Sequence, residues 1–438
     1  LARSGEITET VEPTTTIGTP ASPGWNPVVV GPADEFASVR LAAGPGGLVM
    51  SVSQDSSEPP TLWYSQDGGE WDQVAELPIE RVAIGAPLVG VGEVGMVALK
   101  VGDPESEAFG EPSELAVWIS TDGRTWTEAD SAGFAAAGYL HDVRSTEFGW
   151  VVAGEYAVDA HTVVPAIYHS VDGSSWQRVM RGDGSGVARS VLVADGVLLV
   201  VGSQGGFPMV WRSTDGIDWT ESPLPAETHG GEATAGAWIG DRWLVVGTGS
   251  ETEPMAIWES TNGSRWEKLG QLVDPEDSTL VWENRFGAGI LLDGRLAVGA
   301  TRLGFAHENF CYETERCFVH HPSLLITSDG VSWEEIPAPL ADHPFSPQPP
   351  TVIATATGRL VSATIYDGQL TVWSRTERDA VPLQRDPPVP ALSIERAEWG
   401  QALQPDTRYA WRLGTHCGIG QLGEFNERIW QLDDVNQS

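Results

Sequence analysis

Lysine is almost missing from this chain. Lys100 and Lys268 are the only two in 438 residues, and 25 basic residues in all stand against 61 acidic ones, a formal charge of −36. A protein that grips a phosphate backbone needs a basic stripe whose contacts release counterions, which argues against nucleic acid as a partner. Long apolar runs are missing too: none approaches the roughly 18 residues of a membrane helix, so no transmembrane segment is expected within these residues. Cysteine is scarce, at three. No stretch repeats its apolar residues at a helical period, so helix is expected to be scarce. No cofactor motif stands out, no cofactor or metal is expected, and the acidic surface suits a well-solvated monomer.

Glycine, proline and tryptophan are plentiful instead, at 50, 30 and 19 residues, punctuating short Val-, Leu- and Ala-rich runs. The pattern "VWISTDGRTW" (117–126) recurs as "LWYSQDGGEW" (62–71), "IYHSVDGSSW" (167–176), "VWRSTDGIDW" (210–219), "IWESTNGSRW" (257–266) and "LLITSDGVSW" (324–333), at spacings of 43 to 67 residues. Alternating residues predict a strand. Asp-Gly or Asn-Gly predicts a two-residue hairpin turn with positive φ, and the Trp is expected to start the returning strand and cap the hairpin against the next sheet. Asp67, Asp122, Asp172, Asp215, Asn262 and Asp329 occupy the turn, where a carboxylate accepts backbone N–H bonds. These are read as structural staples.

A Gly turn and an apolar strand precede each copy: "GGLVMSVS" (46–53), "EVGMVALKV" (93–101), "EFGWVVAGEY" (147–156), "DGVLLVVGS" (195–203), "GDRWLVVGT" (240–248) and "DGRLAVGAT" (293–301). A seventh, "TGRLVSATIY" (357–366), is followed by "LTVWSRT" (370–376), which lacks the Asp turn and the Trp. The missing outer strand is found at the other end of the chain, where "GWNPVVVGP" (24–32) matches "EWDQVAELP" (70–78). Four strands per repeat of this length define a propeller blade. The expected fold is therefore all-β: a seven-bladed β-propeller over residues 25–383, closed by the N-terminal strand 25–30. Residues 1–24, rich in Thr and Pro, read as a flexible tether of the kind that separates an exported domain from an upstream lipid or membrane anchor. An extracellular or cell-envelope location in a bacterium is expected. Residues 384–438 read as a Pro-rich linker and a small C-terminal β module.

The six turns resemble the Asp-box, or BNR repeat, of sialidases, xyloglucan-acting glycosidases, sortilin-type receptors and a photosystem II assembly factor. The resemblance covers residues 25 to about 383 and implies a propeller. Most copies here read Ser-x-Asp-Gly-x-x-Trp, one residue shorter than the family's Ser-x-Asp-x-Gly-x-Thr-Trp.

The zigzag of strands puts the Asp turns on one face and the longer connections on the other, so function is expected on the loop face. Seven of the nine histidines, including His141 and His307, fall on that side. The innermost strands carry Arg40, Glu80, Arg81, Asp142, Arg144, Arg189, Glu232, Glu283 and Arg285 near their loop-face ends. Carboxylates beside arginines suit either bidentate contact with a ligand or ion pairs that hold the ring.

The longest loop, 302–322, holds Cys311 and Cys317, expected as a disulfide in an exported protein; a zinc set of His307, Cys311, Cys317 and His320 is the alternative. Cys417, beside His416, reads as structural, because strand neighbours point to opposite faces.

Three functions fit. The first is an exported propeller that binds a glycan or protein on its loop face through Arg81, His141, Arg144, Arg189, Trp282, Arg285, His307 and Tyr312, with Phe109 and Phe305 shaping the site. The second, implied by the sialidase resemblance, is a glycoside hydrolase: arginines such as Arg40 clamp a carboxylate, and two of Asp142, Glu232 and Glu283 do the acid–base work. The third is a passive envelope scaffold.

Overall fold

The middle strands of the repeats are apolar along their whole length, which a strand tolerates only when both of its faces are covered. The computed structural model explains how. It describes residues 24–33, 37–54, 58–77, 86–93, 95–101, 115–159, 161–226, 229–248, 255–272, 281–283, 289–305, 318–337, 339, 352–354, 359–366, 369–375 and 381–382. These residues form seven antiparallel sheets. The expected tether, linker and C-terminal module lie outside them, apart from Gly24 at the end of the tether.

Blade three shows the plan. Its strands Ala137–Thr146, Gly149–Ala157, Val163–Ser170 and Gln177–Arg181 pair in sequence order from the channel outward. Along Gly149–Ala157, Trp150 and Val152 face a buried cluster shared with blade two, while Val151 and Ala153 face one shared with blade four. Every blade repeats this alternation, so the protein has seven cores between blades instead of one central core. The innermost strands touch one another in an unbroken ring from blade one to blade seven and back. Among the described residues, helix is confined to the 3₁₀ turn Ala132–Phe134, and no helix is long and apolar enough to cross a membrane.

Ring closure follows the expected route. Strand Asn26–Pro32 pairs with Gln369–Arg375 as the outer strand of blade seven. Trp25, 4% exposed, packs between blades six and seven among Leu292, Leu324, Leu360 and Trp373. It occupies the place that Trp71, Trp126, Trp176, Trp219, Trp266 and Trp333 take at the other six interfaces.

Two details of the turns differ from expectation. The connection runs six residues, as from Ser120 to Thr127, and only its Gly has positive φ, +72° at Gly123, whereas a two-residue turn of the Asn-Gly kind needs positive φ at both central positions. The reason is the residue that ends the strand. Its hydroxyl (Ser65, Ser120, Ser170, Ser213, Ser260 or Thr327) accepts the Gly N–H at 2.8–2.9 Å and tightens a longer loop. The Asp then accepts N–H bonds from the residues that follow, such as Arg124 and Thr125 on Asp122 at 2.8 and 2.7 Å. The Trp ends the turn and packs against the preceding blade, not the next one. Gly123 shows why glycine is needed there: an added Cβ would lie 2.3 Å from the ring of Tyr64 in blade one.

Blade six departs most from the plan. Its inner edge is split into Val281–Glu283 and Gly289–Leu292, both paired with Arg295–Phe305. The segment expected as the loop 302–322 is partly a long hairpin, with Arg302 opposite His321 and Leu303 opposite His320. Val381–Pro382 adds to the outer strand of the same blade.

Removing the Trp25 side chain should cost about 3–5 kcal/mol, the range for large-to-small changes of a buried aromatic, read as a lower urea midpoint; an unchanged midpoint would show that closure does not depend on it. The turns should also be acid-sensitive. N–H bonds from Thr125 and Arg124 hold the Asp122 carboxyl down to about 2 from its usual 3.8; backbone N–H bonds lower Asp215 and Asp329 likewise, and Asp172 is lowered first by the Ser174 hydroxyl and then by the Ser174 N–H. The folded-state pKa is depressed, so the stabilisation is present above about 3.8 and fades as pH falls towards about 2. Asn262 does not titrate. In hydrogen exchange, the amides of Arg124 and Thr125 should therefore lose protection over that window before those of Ser264 and Arg265; equal loss in both turns would contradict this origin.

Candidate functional site

Three consecutive blades distort their innermost strand at the same place. Leu140 pairs with Gly154 and Asp142 with Ala153, Ala188 with Gly202 and Ser190 with Val201, and Ala233 with Gly247 and Ala235 with Val246. His141, Arg189 and Thr234 are the extra residues. The facing position is glycine each time because the buckled strand presses on it: an added Cβ at Gly202 would lie 1.9 Å from the Val187 carbonyl oxygen, and one at Gly247 would lie 2.0 Å from that of Glu232. Blades one and two pair regularly here. Bulges of this kind re-aim side chains.

The bulges join residues of three blades. Arg189 is ion-paired through Nε with Glu232 Oε1 and meets His141 Nδ1 through Nη1 at 3.0 Å; His141 Nε2 lies 2.9 Å from Glu155 Oε1. A guanidinium has only donors, so Nδ1 must accept from it, and the ring proton sits on Nε2, where Glu155 accepts it. His141 is therefore neutral, in accord with a pKa lowered by burial first and by Arg189 second, with Glu155 and Glu232 opposing. Asp142 Oδ2 accepts the Val191 N–H of the next blade at 2.9 Å and the Arg144 Nε–H at 3.2 Å. Ser190 adds a bond to the Thr234 carbonyl at 2.6 Å.

Arg40 reaches this group from blade one. It keeps contact with solvent, yet the surrounding protein lowers its pKa; Asp142 opposes that shift and Arg189 adds to it. Among the described residues the channel thus gathers three guanidiniums (Arg40, Arg144, Arg189), three carboxylates (Asp142, Glu155, Glu232) and a neutral His141. On the loop face of blades four and five, Phe207 and His229 meet with ring centroids 4.1 Å apart and planes tilted by 46°.

Arg40, His141, Asp142, Arg144, Arg189 and Glu232 are thereby brought together. Trp282 and Glu283 fall on the short strand of blade six paired with Arg302 and Thr301. Arg81, Arg285, His307 and Tyr312 lie outside the described residues, with Glu80, Phe109 and the two cysteines expected as a disulfide, Cys311 and Cys317. Among the described residues no cluster of His, Cys, Asp or Glu suits a metal ion. Glu155 was missed by sequence reading, and a glycine inside an apolar strand, "VVAGEY" beside "LVVGS" and "LVVGT", is the signal of a close backbone approach that marks its blade.

The sequence matches no protein-family model and no curated protein. Among solved structures it is similar to Trypanosoma rangeli sialidase in complex with sialic acid, at 12% identity over 81% of this chain and 59% of that one, with a TM-score of 0.42. The same enzyme with the inhibitor DANA is similar at 14% identity over 64% and 58%, with a TM-score of 0.40. A mutant Aleuria aurantia lectin in complex with α-methyl-L-fucoside is similar at 13% identity over 71% and 98%, with a TM-score of 0.40. The chain spans less than two thirds of the sialidases it matches. At such identities and scores the likeness bears on neither ligand nor mechanism.

The neutral His141 makes a testable mark on stability. The unfolded chain takes up the imidazole proton near the usual 6.5, the folded chain only at lower pH, so stability should fall as pH drops below about 6.5. His141→Gln should flatten that part of the urea-midpoint profile; an unchanged slope would place the dependence elsewhere.

Proposed function

We propose that this chain is an exported, envelope-associated propeller that binds a neutral polyhydroxylated ligand, a carbohydrate, at the loop-face mouth of its channel, without turnover. The observation that carries the reading is the balance of charge on the buckled strands. A sugar hydroxyl both donates and accepts, and it is served by a carboxylate beside a guanidinium; Arg189 and Glu232 offer that pair with side chains 18% and 24% exposed. Convergent polar groups in a concave site are the usual mark of a ligand site. The Thr- and Pro-rich segment before the propeller supports the exported placement.

The hydrolase reading asks for three arginines available to a substrate carboxylate and a tyrosine nucleophile. Arg144 and Arg189 are already engaged by Asp142 and Glu232. Tyr168 is buried, gives its hydroxyl to the Glu155 main-chain oxygen at 3.0 Å, and has its pKa raised by that burial. Neither arrangement favours acid–base chemistry on an acidic sugar.

Calorimetry against a panel of neutral and sialylated oligosaccharides, run beside a fluorogenic glycoside assay, tests the proposal. A neutral sugar should bind saturably and at least tenfold (about 1.4 kcal/mol) more weakly to Glu232→Gln, with no fluorophore released. Turnover lost in Arg40→Ala would install the hydrolase instead, and absence of binding across the panel would leave the scaffold or a protein ligand.

A further inference from the structure

Two arginines meet one tyrosine on the outer edge of blade three. Arg178 and Arg181 are three apart on strand Gln177–Arg181, a spacing that sends side chains to opposite faces of an unbroken strand. This strand is broken: Arg178 pairs with Tyr168 and Met180 with Ile167, leaving Val179 as the extra residue of a bulge. The bulge returns both arginines to one face, where their guanidiniums lie 4.0 and 4.7 Å from the centre of the Tyr156 ring. Blades one and five bulge at the same point, but Gln73 and Glu76, and Lys268 and Gln271, stand in the corresponding places.

Both arginines are exposed, and among the described residues neither belongs to an ion pair. In a chain with 61 acidic residues and 25 basic ones, two like charges held on one ring without a carboxylate between them form an unusual local field. A guanidinium stacked by its face keeps its N–H edge for hydrogen bonds. Two guanidiniums held at 4.0 and 4.7 Å from one ring can turn such edges to the oxygens of one oxyanion, whose charge relieves the repulsion between them. Tyr156 stands near the end of its strand and Arg181 at the end of its own, so the clamp opens on the loop face, outside the channel. At physiological salt the screening length is about 8 Å, so the rest of the acidic surface does little to repel an ion held there.

We propose that Arg178, Tyr156 and Arg181 form a binding site for an oxyanion, the sulfate ester or carboxylate of an acidic saccharide. The test is calorimetric titration of the full chain with a heparin-derived tetrasaccharide and with trigalacturonate, against the Arg178→Gln, Arg181→Gln double variant. At least one ligand should bind, at least tenfold more weakly to the double variant, with affinity falling as NaCl rises and less steeply in that variant. Binding of only the sulfated or only the carboxylated saccharide would name the group. The proposal is overturned if neither ligand binds, if the double variant binds as well as the parent with its unfolding midpoint unchanged, or if only an acidic peptide run alongside is captured.

Discussion

Every blade in this protein needs a neighbour on both sides. The middle strands are apolar on both faces, so a blade left at the end of a row would present a full sheet of Val, Leu and Trp to water. Closing the row into a ring removes the exposed ends, and the remaining features serve that closure. The Asp-Gly turns hold each outer strand at a fixed height, their tryptophans wedge against the blade before, and Trp25 supplies the wedge for the one blade that has no such turn. The turn Gly lies directly on the preceding blade, which joins turn geometry and blade packing in one residue.

Blade four links the ring's packing to its chemistry. Its inner strand reaches backward through Arg189 to His141 and through the Val191 amide to Asp142, and forward through Arg189 to Glu232 and through Ser190 to the Thr234 carbonyl. Groups this enclosed are costly when unpaired and rigid when paired. The same contacts that register three blades also orient the carboxylate and guanidinium edges left open to the channel.

Much of the fold was legible because turns and wedges demand particular residue types. A Gly where φ is positive, an Asp where amides need an acceptor and a Trp where two blades meet recur visibly, and they imply blade number and closure. The turn length was misread because Asp-Gly was taken as a two-residue turn, when the hydroxyl of the Ser that ends the strand holds a six-residue loop. The site was only half legible. Arg40, Asp142, Arg189 and Glu232 stood out as charges on inner strands, but their meeting depends on bulges in three blades at once. The tautomer of His141 depends on partners 14 and 48 positions away. Glycines inside "VVAG" and "VVGS" hinted at the bulges; nothing local pointed to Glu155.

The closing pair of strands joins the two ends of the propeller. Asn26 is bonded to the Ser374 carbonyl across 348 positions of sequence, so the first strand of the propeller is the last to find its partner. Until residues 369–375 arrive, Asn26–Pro32 has no edge to pair with, and afterwards the blade-seven edge stays open until the early strand returns. An open edge accepts any strand of suitable length, including one from another copy. Closing the ring therefore requires a search between distant parts of one chain, and local concentration decides whether the ring closes on itself or on a neighbour.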